Sequence, residues 1–479
     1  MKLKHLFLSA LVVGSLASCS KDDDGPNEPI YQQIETSLSI STTSNSGLVG
    51  KADTKTEPIT TPGAESERRI KTLTAVVFYA DGTFATTKTV TDPAQNKDFS
   101  TSIDDIIVKV AAIEAGKIST TELKVFLLAN VSVPQSALAN YNEFIKSSFS
   151  GITNYSFTGV MDNNKESGKY LPMSSQELSV TNLLAGMDYA NRVEKSGDVA
   201  KYTSNLVETK NKVLELSDGK YVPGDNDYKP SEKIALARYV ARVQLESLEV
   251  DFGQNYEDAV FTLTSVSIAN VSNASRFVED NGGSLQSVDY TKDDAFYRGF
   301  PEKITRADYY LARSVYDQTV FSKIYGTIEG TTVKDGIKFG KEGEKLVTFR
   351  DATVAESLGS NEMAQFYVFE FQGEKVTADP GEAKLPSTAY STINTMLIIT
   401  GFWDNGLIKE ERSFRIPIRH DQSTVEDYQV KRNNIYKVHA TLTGEGTKNP
   451  DKSMLNAFVS FSIDVEQWKV VKQTETDVN

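Results

Sequence analysis

The chain has 479 residues, 39% of them hydrophobic, with 23 Phe and 21 Tyr, enough apolar material for two or three domains with real cores. Its 51 Lys and Arg stand against 65 Asp and Glu. The net charge of −14 excludes the cationic neutralisation of phosphates on which non-specific nucleic-acid binding runs. One Cys excludes an internal disulfide framework and a cysteine-rich zinc site, and three His leave little room for histidine-based metal or triad chemistry.

Lys2 and Lys4 precede an apolar run, Leu6 to Leu16, that is shorter than the ~20 residues needed to span a bilayer. The run ends in Leu16-Ala17-Ser18-Cys19. This tetrapeptide resembles a bacterial lipobox, so residues 1–18 are expected to be a lipoprotein signal peptide and Cys19 the lipidation site; an ordinary secretory signal with an incidental Cys is the alternative. Residues 19–30 include Asp22-Asp23-Asp24-Gly25-Pro26, an acidic tether that buries nothing. It resembles the signal that sends Bacteroidetes lipoproteins to the outer face of the outer membrane.

In 31–42, Ile34, Thr36, Leu38 and Ile40 alternate with Glu35, Ser37 and Ser39, the pattern of a half-buried strand. Residues 43–69 are rich in Ser, Thr, Gly, Pro and Lys and read as an exposed, protease-sensitive linker carrying Lys51, Lys55, Arg68 and Arg69. IKTLTAVVFYADG, from Ile70, reads as a strand entering an Asp81-Gly82 turn. Leu123–Val131 is a continuous apolar run, as in a strand buried on both faces. From Pro134 to Ser147, Leu138, Tyr141 and Ile145 fall at helical spacing. Residues 171–175 are strand-like again, and the polar, Gly- and Pro-rich 217–232 is the best domain boundary.

The second half reads as strands at 239–246, Val260–Ile268, Gln365–Phe371, Thr395–Phe402, Asn434–Leu442 and Phe458–Val471. No helical periodicity rivals them, so two β-sandwiches are the economical architecture. After a polar linker, Gly444–Asn456, the residues Val459, Phe461, Ile463 and Val465 alternate with Ser460, Ser462, Asp464 and Glu466. The phase slips at Gln467, and Trp468 and Val470 take over the apolar face, as at a bulge. This segment is either the last strand of its own sandwich or one that leaves it.

No HExxH, GxSxG, GxxxxGK[ST] or EF-hand pattern is present. His420-Asp421 has no evident nucleophile, and Asp23-Asp24 and Asp104-Asp105 read as solvated pairs rather than metal ligands. No catalytic residue, metal site or cofactor is expected.

VKRNNIYKVHATLTGEG followed by FSIDVEQWKV, in 430–471, resembles the ending of the Bacteroidales fimbrillin family, the shaft subunits of type V pili. The leader, IKTLTAVVFY, LKVFLLANV, LPMSSQ, LARYVARVQL and QFYVFEF fit the same family in order, and the resemblance is closest to the minor-fimbria subunits. It implies a mainly β chain of two transthyretin-like β-sandwich domains with a few short helices, at 70–232 and 233–443, with no enzymatic activity. It implies export as a lipoprotein, then removal of the first strand and its linker (31–69) by an Arg-specific maturation protease at Arg68 or Arg69, or by a broader one at Lys51. It implies a homopolymer in which 444–479 supplies a donor strand (Val459, Phe461, Ile463, Val465, Trp468) to the vacated groove of a neighbour. Other fimbrial subunits and host or bacterial surface ligands are further expected partners. Two other functions compete: a glycan-binding surface lipoprotein with exposed aromatic platforms, for which Trp403 and Trp468 are the only Trp, and a β-sandwich glycoside hydrolase, for which no carboxylate pair stands out. An uncut chain would instead be an anchor or accessory subunit.

Overall fold

A computed structural model describes residues 29–44, 65–95, 99–151, 170–187, 205–207, 216–217, 220–221, 234–269, 271–278, 296–297, 322–350, 361–371, 395–420, 430–448 and 458–467. The first half builds two facing sheets. In one, β1 (Gln32–Thr43) runs antiparallel to β4 (Ser100–Ala112) and parallel to the short strands β9 (Asn205–Val207) and β12 (Ile234–Ala235). In the other, β2 (Thr72–Tyr79) lies between β3 (Phe84–Thr91) and β5 (Leu123–Ala129). There β5 also pairs with β7 (Met173–Ser174) and β8 (Leu178–Val180), and β13 (Ala237–Arg238) pairs with β7. Leu38, Ile40, Leu73, Val77, Ile103 and Val125 meet between the two sheets and are fully buried.

β4 has no counterpart among the strands read from sequence. Its alternation breaks at Asp104-Asp105, which form a bulge: Leu38 faces Ile106 and Ile40 faces Ile103, so two residues of β4 oppose Ser39. Asp105 takes a positive φ of 55°, and Lys88 Nζ donates to its carbonyl at 2.8 Å. The acidic pair thus shapes a strand. Among the described residues no cluster of His, Cys, Asp and Glu could hold a metal ion.

The run 123–129 is buried on both faces, as its pattern predicts. Val125 and Leu127 join the first core, while Phe126 and Leu128 join a second that continues into the other half of the chain. The helix predicted over 134–147 is two short turns, a 3-10 turn at Gln135–Leu138 and a helix at Tyr141–Lys146, because Asn140 caps the second by accepting from Glu143 N at 3.0 Å.

The second half repeats the double layer. β14 (Val240–Val250) pairs in parallel with β27 (Asn434–Leu442) and antiparallel with β23 (Leu346–Thr348) and β24 (Gln365–Phe369). β28 (Val459–Gln467) lies outermost, against β27. The facing sheet joins β15 (Val260–Ala269), β19 (Ser322–Ile324), β22 (Ile337–Gly340), β25 (Met396–Asp404) and β26 (Lys409–Pro417). Separate from these sheets are the two-stranded ribbons β10 (Leu216–Ser217) with β11 (Lys220–Tyr221), β16 (Val271–Ser272) with β18 (Phe296–Tyr297), and β20 (Thr327–Glu329) with β21 (Thr332–Lys334).

The halves are stitched together. β6 (Ser148–Ser150) pairs antiparallel with β17 (Ala274–Arg276). Phe277 stacks on Phe144 at 5.6 Å and on Phe149 at 5.7 Å, and Phe149 meets Tyr239 and Phe369 edge-on. Arg432 and Glu370 form a buried ion pair beside them, with the guanidinium 4.7 Å from the centre of the Tyr239 ring. No helix among the described residues is long and apolar enough to cross a membrane.

Candidate assembly site

Three pieces of chain carry the sequence expectations: β1, the Glu65–Ile70 segment and β28. β1 is a central strand. One edge pairs with β4 along its length. The other is covered in turn by the 184–187 turn, β9 and β12: Ser37 N donates to Met187 O at 2.9 Å, Gly186 N to Glu35 O at 3.0 Å, and Thr36 Oγ1 to Leu184 O at 2.5 Å. Ser37 and Ser39 are therefore buried along with Leu38 and Ile40, where alternation alone predicts one wet face.

The segment before β2 corrects the exposed-linker expectation at its described end. Glu65–Arg68 is a helical turn, and Glu67 is fully buried. Arg242 Nη1 donates to both Glu67 carboxylate oxygens, at 3.1 and 3.4 Å, and the Tyr367 hydroxyl donates to Oε1. Arg238 Nε donates to the Glu67 main-chain carbonyl at 2.8 Å. Both arginines come from LARYVARVQL, and burial, against the pull of Glu67, holds the Arg238 guanidinium down at about 10.

Arg68 and Arg69 are half-buried, not exposed. The Arg68 guanidinium lies over the Phe99 ring at 4.5 Å. Ser44 Oγ donates to Arg68 O at 2.5 Å, Asn130 Nδ2 donates to Arg69 O at 2.9 Å, and the Gln95 amide bonds Ile70 on both sides, at 3.0 and 2.7 Å. A protease takes its substrate as an open, extended strand, so this stretch is cut only through local opening. Apolar neighbours and carbonyl partners bury it, and neither is visible in the composition of 43–69.

β28 pairs with β27 from Leu442–Val459 to Asn434–Gln467 without a register break, so the bulge expected at Gln467 does not interrupt this ladder. Ile463 is buried, Val459, Phe461 and Val465 are half-buried against the second core, and Ser462 is exposed. Glu466 is buried and pairs with Lys437 at 2.8 Å. The linker ahead is held at its start: Thr447 and Ser413 exchange two backbone bonds, at 2.8 and 2.9 Å. Cys19, Lys51 and Trp468 lie outside the described residues. Trp403 is fully buried against Phe252 and Tyr256, so it is no sugar-stacking platform.

Residues 36–216 match the family model of the major fimbrial subunit protein (FimA). The match covers less than half of the chain and makes its first part similar to FimA-type subunits. The match begins inside β1, runs through the first pair of sheets and ends at β10, and the family is one of structural fimbrial subunits, not of enzymes. The fold as a whole is similar to that of solved fimbrial proteins. A fimbrilin (FimA) from Porphyromonas gingivalis is 15% identical, with a TM-score of 0.53 over 92% of this chain and 99% of that one. A protein from Parabacteroides distasonis assigned to cell adhesion is 18% identical, with a TM-score of 0.52 over 91% of this chain and 100% of that one. No curated protein sequence matches the chain. A cell-surface fimbria is the setting this family implies.

Sequence reasoning missed Glu67, Asn130, Arg238, Arg242 and Tyr367. The one available signal was two arginines, Arg238 and Arg242, spaced four apart in an otherwise apolar stretch.

Proposed function

We propose that this chain is a polymerising fimbrial subunit, exported as a lipoprotein through Cys19, cut between β1 and β2, and joined to its neighbours by strand exchange. The observation that carries the reading is the place of β1: a central strand, hydrogen-bonded along both edges, with Leu38 and Ile40 fully buried. Its departure would expose an apolar trench lined by unpaired backbone, a strong template for an added strand. β28 suits the donor role because it is outermost in its sheet and only half-buries Val459, Phe461 and Val465. Such a head-to-tail contact does not close on itself and builds a filament. The precursor would sit on the outer membrane and the processed chain in the extracellular fimbrium, in contact with copies of itself, other fimbrial subunits, its maturation protease and surface ligands.

The half-burial of Arg68 and Arg69 favours a second reading, an uncut anchor or accessory subunit that keeps β1 and its lipid. Electron microscopy of surface material, with N-terminal sequencing, separates the two. Filaments whose chains begin after Arg69, Arg68 or Lys51 support polymerisation; chains beginning at Cys19 in assembled filaments overturn it. Cys19→Ala is expected to lose palmitate labelling. Removal of 457–479 is expected to leave a folded monomer that no longer assembles, whereas loss of the chain's cooperative melt would make β28 a fixed core strand.

A further inference from the structure

The cluster around Glu67 joins parts of the chain that are far apart. Glu67 precedes β2, Arg238 and Arg242 come from β13 and β14, and Tyr367 comes from β24. The sequence separations are 171 residues to Arg238, 175 to Arg242 and 300 to Tyr367. Glu67, Arg238, Arg242 and Tyr367 are each at most 2% exposed. Asn433 Oδ1 accepts from Arg238 N at 3.2 Å and from Arg238 Nη1 at 3.4 Å. Turned to face Arg242, the Gln365 amide oxygen accepts from its Nε at 3.1 Å. The two guanidiniums are thus aimed and held from behind; Arg242 and the Tyr367 phenol grip the carboxylate, Arg238 grips the carbonyl of the same residue, and Glu67 arrives on a four-residue turn. The Arg242 guanidinium and the carboxylate are paired in a dry place, so the receptor is selective for a negative ligand, and loss of that ligand breaks a buried ion pair.

We propose that Arg242 and Tyr367 form a carboxylate receptor, that Glu67 is its ligand in cis with its main-chain carbonyl held by Arg238, and that this contact latches the Glu65–Ile70 segment onto the second half of the chain and shields the Arg68–Arg69 bonds. With Glu67 seated, the helical turn is pinned, and the carbonyls of Arg68 and Arg69 stay within reach of Ser44 and Asn130. With Glu67 unseated, the segment loses its buried ion pair and is held by its peripheral contacts, and its opening becomes more frequent. The latch also reports across the molecule: the segment between the first and second strands is fastened by residues that exist in place only when the second half is folded. A protease that cuts here therefore meets a bond whose exposure depends on the whole chain.

The test is limited trypsin digestion of the intact chain, with cut sites read by mass spectrometry. Glu67→Gln keeps the side-chain shape and removes the charge. Cleavage after Arg68 or Arg69 is expected to be about tenfold faster or more, while cleavage after the exposed Lys341 stays unchanged. Glu67→Gly empties the receptor, and sodium acetate is expected to slow cleavage there relative to sodium chloride at equal ionic strength. A wild-type rate in Glu67→Gln, or equal effects of acetate and chloride, overturns the proposal. Should Glu67→Gln fail to fold by circular dichroism, Tyr367→Phe removes one hydrogen bond from the same carboxylate. Cleavage severalfold faster supports the latch, and an unchanged rate overturns it. The cut made in the cell is a separate matter: a mature chain beginning after Lys51 overturns processing at Arg68 or Arg69 and leaves the latch standing.

Discussion

Asn130 shows how one side chain organises the approach to a strand. It holds a φ of +60°, accepts from Lys71 N at 2.7 Å, and donates to Arg69 O at 2.9 Å and Leu171 O at 2.8 Å. Asn tolerates the left-handed region better than other residues with a Cβ. Asn130→Ala loses these bonds and strains the backbone, and is expected to destabilise the chain by about 2–3 kcal/mol in urea titration. Asn130→Gly relieves the strain and is expected to cost less. The phenols give a pH signature. Burial, reinforced by the Glu177 carboxylate 2.6 Å away, pushes Tyr141 up to about 12, and burial raises Tyr239 and Tyr325 further still. A raised phenol pKa means that the folded chain keeps its proton after the unfolded chain has released it. The stability is therefore full below about pH 10 and falls as pH rises from 10 toward 12. Ultraviolet titration is expected to find these three phenols protonated at a pH where free tyrosine has ionised, and urea to erase the difference.

At the scale of elements, β28 is the test case. Phe461 faces the second core and Ser462 faces away. Phe461→Asp puts a carboxylate against apolar neighbours, which costs more than the ~1.5–3 kcal/mol that a buried aromatic side chain contributes. It is expected to stop assembly, while Ser462→Asp assembles near normally; filaments from Phe461→Asp would remove β28 from the joint between subunits. The same strand shows what was legible beforehand. Strands with one wet face and one dry face announce themselves, so 434–442 was read with the bounds it has and 459–467 with its apolar face. β4 escaped because Asp104-Asp105 interrupts its alternation at a bulge, which is a property of pairing and not of composition. The exposure of 65–69 was misread for a related reason. Glu67 is buried by partners up to 300 positions away, and local pattern carries no trace of them. β1 was recognised as a strand, but not as one whose second face is dry at Ser37 and Ser39, because its cover comes from 184–187, 205–207 and 234–235.

At the scale of the whole molecule, the second core is continuous from Phe78 and Phe126 through Phe144 and Phe277 to Phe369 and Tyr436. The two double layers share packing as well as a covalent link, so they are expected to unfold in one transition. Phe277→Ala removes a ring that is 1% exposed and touches both halves. It is expected to cost about 3–5 kcal/mol and to speed hydrogen exchange in β5 and β14 alike; acceleration confined to one half would show that the layers are independent.

β1 is part of the chain only through residues 45–64, and this changes what a cut would do. While that connection is intact, β1 meets its own groove at an effective concentration on the order of mM, and any brief escape is reversed at once. After a single hydrolysed bond the strand becomes a separate peptide, present at whatever concentration the surroundings provide. The contacts in the groove would be unchanged, yet dilution would oppose rebinding, and under the proposed exchange a competitor supplied by a crowded neighbour would have the higher local concentration. Proteolysis would then set the direction of exchange by changing mass action rather than by weakening a single hydrogen bond.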